Sequence, residues 1–285
     1  MNMSDYPVQG AGLGFKRALM GPLAEESIEP IDFFEVAPEN WLSLGGSLGK
    51  KFRSFSERYP FLAHGLSLSL GGPAPLDEKF LGRVKTFLDT HNILLYTEHL
   101  SYCSDNGHLY DLMPIPFTEE AVRYVAGRIR RTQEILERKI AIENVSYYAA
   151  PGQQMSETEF VNAVLEEADC YLHLDVNNIY VNSVNHKYDA EEFLYSMPSE
   201  RIVYIHVAGH YQEAEDLLID THGAEVIDPV WNLLDKTYAR FGGHIPTLLE
   251  RDFNLPALSE LKREVRMIAS LQNKWTKSDG VATNV

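Results

Sequence analysis

Short apolar runs recur along the chain, and each is followed by a stretch with helical spacing. The strand candidates are GAGLGF (10–15), IDFFEVA (31–37), FLAHGLSLSL (61–70) and ILLYTEHLSY (93–102). Four more follow: KIAIENVSYY (139–148), YLHLDVNNIYV (171–181), RIVYIHVAGH (201–210) and IPTLLERDF (245–253). The clearest helix is TEEAVRYVAGRIRRTQEILER (118–138), where Thr118 caps the start, acids fill the first turn and apolar residues recur at three and four. Alternating β and α elements imply a parallel sheet, and eight such units imply a (β/α)8 TIM barrel. An open doubly wound sheet is the alternative; it needs a reversal of strand order that sequence does not reveal. No Ser/Gly/Pro-rich linker divides the chain. Residues 1–275 are therefore expected to form one barrel domain, with the polar, aperiodic tail 276–285 disordered.

In such a barrel alternate strand residues point into the lumen, and chemistry gathers at the C-terminal strand ends. The third strand offers His64 there, the fourth His99, the fifth Glu143, the sixth Asp175, the seventh His206 and the eighth Glu250. Carboxylates and imidazoles in a barrel mouth are costly to bury unless paired or bound to a cation. Each alone reads as an ordinary hydrogen-bonded residue, but six in register point to metal. In the loop after the seventh strand, LLIDTHG (217–223) adds Asp220 and His222, and Asn178 follows Asp175 by three. These three are candidates for a further ion. Imidazole and carboxylate without thiolate suit iron, manganese or zinc, and the donor types do not choose among them. Glu35 and Asn40, near the end of the second strand, are candidates for supporting or substrate contacts. His210 is a candidate proton shuttle.

Composition narrows the partners. The 285 residues are 45% hydrophobic, enough for a large core, and 25 basic against 41 acidic residues give a net charge of −16. That balance argues against a nucleic-acid track or an anionic membrane as partner. No signal peptide is read at MNMSDYPVQG, nor any apolar run of the roughly 18 residues that span a bilayer, so a cytoplasmic protein is expected. Cys103 and Cys170 are the only cysteines; they fit a reducing compartment and are read as small buried hydrophobes.

The ligand set resembles the trinuclear-metal branch of the xylose-isomerase-like TIM barrels. Endonucleases of the endonuclease IV type share the layout but carry a third histidine where this chain has Asn178. The longer blocks GLGFKRAL, IDFFEVAPENW, HGLSLSLGG, EHLSY, IENVSYY, LDVNNIYVNSVNH, HVAGH, DTHGAEVIDPVW and PTLLERDFNLP resemble the multinuclear non-heme iron-dependent oxidative enzymes. That family includes the methanobactin-biosynthesis enzyme, and the likeness runs from about Gly12 to Leu261. The resemblance implies two or three irons and oxidation, with dioxygen, of cysteine residues in a ribosomally made precursor peptide. It also implies a small partner protein that recognises the leader. Carried over, one iron would take Glu143, Asp175, His206 and Glu250. A second would take His64 and His99 with Glu143 bridging, and a third Asn178, Asp220 and His222. The competing readings are a divalent-metal sugar isomerase or epimerase, a phosphodiesterase, and a non-enzymatic metal- or peptide-binding scaffold.

Overall fold

The computed structural model describes residues 6–105 and 107–279. Its elements begin with β1 (Ala11–Gly14), α1 (Met20–Glu25), β2 (Phe33–Val36), α2 (Gly46–Ser56), β3 (Phe61–His64) and α3 (Glu78–Thr90). There follow β4 (Tyr96–His99), β5 (Tyr102–Ser104), β6 (His108–Met113), α4 (Glu119–Leu136), β7 (Ala141–Glu143) and α5 (Glu157–Ala168). The chain continues through β8 (Tyr171–Asp175), α6 (Val176–His186), α7 (Ala190–Tyr195), β9 (Ile202–Val207), β10 (Tyr211–Ala214) and β11 (Leu217–Ile219). It closes with α8 (Asp228–Phe241), β12 (Thr247–Leu249) and α9 (Leu258–Asp279). Strands β1, β2, β3, β4, β7, β8, β9 and β12 form a closed parallel barrel in that order, the TIM-barrel architecture expected from the sequence. The other four strands make two antiparallel hairpins, β5–β6 after β4 and β10–β11 after β9.

Every barrel strand is shorter than its apolar run. FLAHGLSLSL is strand only to His64, because carboxylates replace the ladder beyond it. Glu39 Oε1 accepts from the Leu66 and Ser67 amides at 2.9 and 3.1 Å, and Glu98 Oε1 from Leu68 at 3.2 Å. ILLYTEHLSY likewise ends its barrel strand at His99, and Tyr102 opens the first hairpin. YLHLDVNNIYV divides at Asp175, whose Oδ1 accepts from the Asn178 amide at 2.6 Å and starts α6, so VNNIYV is helical. The α4 expectation holds, with Thr118 Oγ1 accepting from Ala121 N at 3.1 Å. At the C-terminus α9 runs through Asp279, so residues 276–279 of the expected disordered tail are helical; the remainder lies outside the described residues.

The chain divides into two compact units: residues up to Glu35 with those from Leu174 onward, and residues from Val36 to His173. In the first, Phe15 meets Phe34 edge-on at 5.4 Å, and Phe33 packs on Tyr204 at 6.0 Å. Gly12 leaves room for the Phe33 ring, which lies 2.4 Å from where a Cβ would stand. In the second, Phe52 stacks between Trp41 at 4.5 Å and Phe87 at 5.7 Å, and Phe117 lies 5.0 Å from Phe160. Both cysteines are buried and unbridged, Cys103 with its Sγ 3.6 Å from the Leu66 carbonyl. None of the described helices is long and apolar enough to cross a membrane.

Candidate metal centre

Parallel pairing sets the first candidate group. His64, His99 and Glu143 end β3, β4 and β7, and register places His99 opposite Glu143 and Glu143 opposite His173. The Thr97 hydroxyl lies 2.6 Å from His64 Nδ1, which leaves His64 Nε2 facing His99 Nε2 at 3.1 Å. Both Nε2 atoms stand 3.3 Å from Glu143 Oε2. Burial alone would raise the Glu143 pKa, but His99, His64 and His173 reverse this and hold it well below the usual carboxylate range. Two imidazole nitrogens and one carboxylate oxygen thus converge on a volume the size of one ion, with one histidine already anchored from behind.

The second group belongs to the other unit. His206, fully buried on β9, has Nε2 3.0 Å from Glu35 Oε2, which also accepts from the Tyr204 hydroxyl at 2.9 Å. Its Nδ1 faces Glu250 Oε2 at 2.9 Å and Asp175 Oδ2 at 4.0 Å. Glu250 Oε2 also lies 3.2 Å from His222 Nδ1, yet neither imidazole is aligned to donate to it. A buried carboxylate oxygen crowded by ring nitrogens without hydrogen-bond geometry fits a cation better than a proton network.

Asp220 and His222 form the far edge of this group. His222 Nε2 is 2.7 Å from Asp220 Oδ1, and its Nδ1 is 3.3 Å from Asp252 Oδ2. Asp220 Oδ1 accepts from Asn177 Nδ2 at 2.8 Å, and Asn177 Oδ1 lies 2.7 Å from His210 Nδ1. His210 is buried, and burial lowers its pKa despite the nearby Asp220 carboxylate. Asn178 is buried in the first turn of α6, whereas Asn40 is exposed after β2. Near Asn40 it is Glu39 that reaches back, to the loop behind His64.

Contributors not singled out from sequence include Lys16, His173, Asn177 and Asp252. Lys16 follows β1 and pairs with Asp252, and its position at that strand's end was the available signal. Asp252 lies two residues past Glu250, and His173 two before Asp175, on the same side of the alternation. Asn177 carried no signal beyond its neighbour.

The charges give a pH signature for metal-stripped protein. Burial opposes charge on His206 and His222, but carboxylates prevail: Glu35 and Glu250 raise His206, and Asp220 and Glu250 raise His222, both well above 6.5. Their stabilisation is complete below pH 6.5 and lost as pH climbs through the raised values. Glu143 and Glu250 are depressed, so theirs is present above 4.5 and lost on acidification. Chelated protein should therefore melt highest between about pH 4.5 and 6.5. Metal displaces those protons, so loading should move the maximum upward. Melting scans from pH 4 to 9 test this; the same profile with and without metal would refute it.

The family model of the RiPP precursor modification enzymes MbnB/TglH/ChrH matches residues 10–273. A UPF0276 protein of Nitrosospira multiformis is 62% identical over 284 residues, covering 99% of this chain and 100% of that one. Another, from Pseudomonas aeruginosa, is 56% identical over 267 residues, covering 94% of each. Among solved structures, D-psicose 3-epimerase of Clostridium cellulolyticum superposes with a TM-score of 0.61 at 10% identity, covering 94% of this chain and 99% of that one. Endonuclease IV of Thermus thermophilus does so with 0.58 at 14% identity, covering 93% and 99%. The structural likenesses establish the barrel; the sequence likeness spans it, and the chain belongs to the MbnB/TglH/ChrH family of RiPP precursor modification enzymes.

Proposed function

We propose that the protein oxidises cysteine residues of a ribosomally made precursor peptide with dioxygen, using two to three bound irons. Family membership supports the peptide substrate. The observation that carries the metal reading is the approach of His64 Nε2, His99 Nε2 and Glu143 Oε2 within 3.3 Å of one another. The ligands proposed are those expected from the sequence: Glu143, Asp175, His206 and Glu250 for one ion, His64 and His99 with Glu143 bridging for a second, and Asn178, Asp220 and His222 for a third. Iron suits these oxygen and nitrogen donors, with manganese and zinc as competitors. Bound iron would supply the redox chemistry and a position for the substrate thiolate.

The remaining roles fall to the chain itself. Glu35, held by Tyr204, orients His206 through Nε2 and leaves Nδ1 toward Glu250. Because Asn177 donates to Asp220, its carbonyl accepts from His210 Nδ1. His210 Nε2 is then the basic nitrogen of that ring, suited to take the substrate thiol proton. A small leader-recognition protein is proposed as partner, since the leader must be read apart from the cysteines. The epimerase and endonuclease readings have the barrel alone in their favour.

The decisive experiment is metal analysis of anaerobically purified protein, followed by oxygen uptake with a cysteine peptide and its serine counterpart. Uptake should require iron and cysteine together. Zinc as the resident metal, with no uptake restored by iron, would transfer the assignment to hydrolysis.

A further inference from the structure

Asp252 has both oxygens engaged. Oδ1 pairs with Lys16 Nζ, and Oδ2 accepts from His222 Nδ1 at 3.3 Å with hydrogen-bond alignment. Glu250 Oε2 lies as near to that nitrogen, at 3.2 Å, but is not so aligned. The Nδ1 proton is therefore committed to Asp252, and Nε2 is the nitrogen that a bound ion would take by displacing its proton. That atom faces Asp220 Oδ1 at 2.7 Å without hydrogen-bond alignment. With that proton displaced by metal, Nε2 and Asp220 Oδ1 would stand together as a chelating pair. The loop geometry reinforces this, since the Asp252 amide donates to the His222 carbonyl at 2.9 Å, and His222 has a left-handed φ of 48°.

We propose that Lys16 is a positioning residue: through Asp252 it fixes His222 as an Nε2 ligand and so sets the affinity of the ion held with Asp220. This rests on the metal reading above and adds a residue and a tautomer to it. Lys16 has a second effect. Asp252 stands beside Glu250, and without an ammonium partner the two carboxylates repel. Asp252 would then turn from His222, freeing the ring to flip. A cation fixed at the end of β1 prevents this while leaving the chelating pair untouched. His222, Glu250 and Asp252 also bring donor atoms together, so a direct ligand role for Asp252 is the competing arrangement that the test must separate.

The test uses Lys16→Met, Lys16→Arg, Asp252→Asn and His222→Ala in the full chain, each checked for wild-type melting. Metal per chain is followed by graded chelation. In Lys16→Met and Asp252→Asn one ion should dissociate about 10–100-fold more readily while the others hold, the range expected when a ligand's outer partner is lost. Lys16→Arg should restore most of the affinity. Nitrogen-15 histidine spectra of zinc-loaded protein should show His222 protonated at Nδ1 in wild type and not uniquely so in Lys16→Met. Wild-type retention in Lys16→Met would overturn the proposal. So would an Asp252→Asn variant that loses the ion as completely as His222→Ala, since Asp252 would then be a ligand. If no variant, wild type included, takes up that ion, the metal reading fails instead. The Nδ1–H hydrogen bond of His222, read from its proton and nitrogen-15 shifts in metal-free wild type and Lys16→Met, then still decides whether Lys16 and Asp252 orient the ring.

Discussion

Glu143→Ala protein is expected to purify with at most one ion per chain and to consume no oxygen with a cysteine peptide. The residue is buried among His64, His99 and His173, and its carboxylate lets two Nε2 atoms sit 3.1 Å apart. Without it those rings face each other with no anion between them, and a bound cation loses its charged ligand. Glu143 is proposed to serve two ions, so the loss should exceed the roughly 10–100-fold that follows removal of an outer partner. His64→Ala, by contrast, should release one ion and leave the rest. Glu143→Gln keeps the volume and separates lost charge from lost packing. Metal analysis of the three proteins decides the matter, and equal metal content in Glu143→Ala and His64→Ala would remove the bridging role.

Gly65→Ala should be nearly as damaging, although it changes no ligand. A Cβ at this position would lie 2.1 Å from the Tyr96 hydroxyl and 2.3 Å from Glu98 Oε1. Those two groups are fully buried and hydrogen-bonded at 2.7 Å, so neither swings aside freely. Burial, with Glu39 nearby, pushes Glu98 up to about 7, and the Tyr96 hydroxyl donates to it. The added methyl must break this contact or push back the segment that begins at His64. The expected cost is about 1–3 kcal/mol of overpacking, read as a lower melting temperature. An ion bound by His64 should be lost with it. Wild-type melting and metal content would show that the segment yields without strain.

The barrel and most of its candidate site residues were legible because strand alternation is local. A polar side chain at the end of an apolar run can be read from a few neighbours, as with His64, His99, Glu143, Asp175 and His206. Strand ends were less legible. The bonds that stop β3 come from Glu39 and Glu98, which lie 27 and 30 residues from the amides they take. The same run, YLHLDVNNIYV, satisfied strand composition throughout and was divided by one carboxylate cap. Supporting pairs were hidden by distance along the chain: Glu35 meets His206 across 171 residues, and Lys16 meets Asp252 across 236. Such partners follow from barrel closure, and no local spacing encodes them.

A catalyst that oxidises thiols must survive its own reagent. The chain's two cysteines are both removed from that hazard: Cys170 is fully enclosed and Cys103 is 3% exposed. Burial, with Glu98 close by, pushes the Cys103 thiol up, so it stays protonated as well as enclosed. Under the proposed chemistry self-inactivation through the protein's own sulfur is then kept slow. Unfolding would end that immunity, and heat-damaged molecules should be the ones found carrying oxidised cysteine.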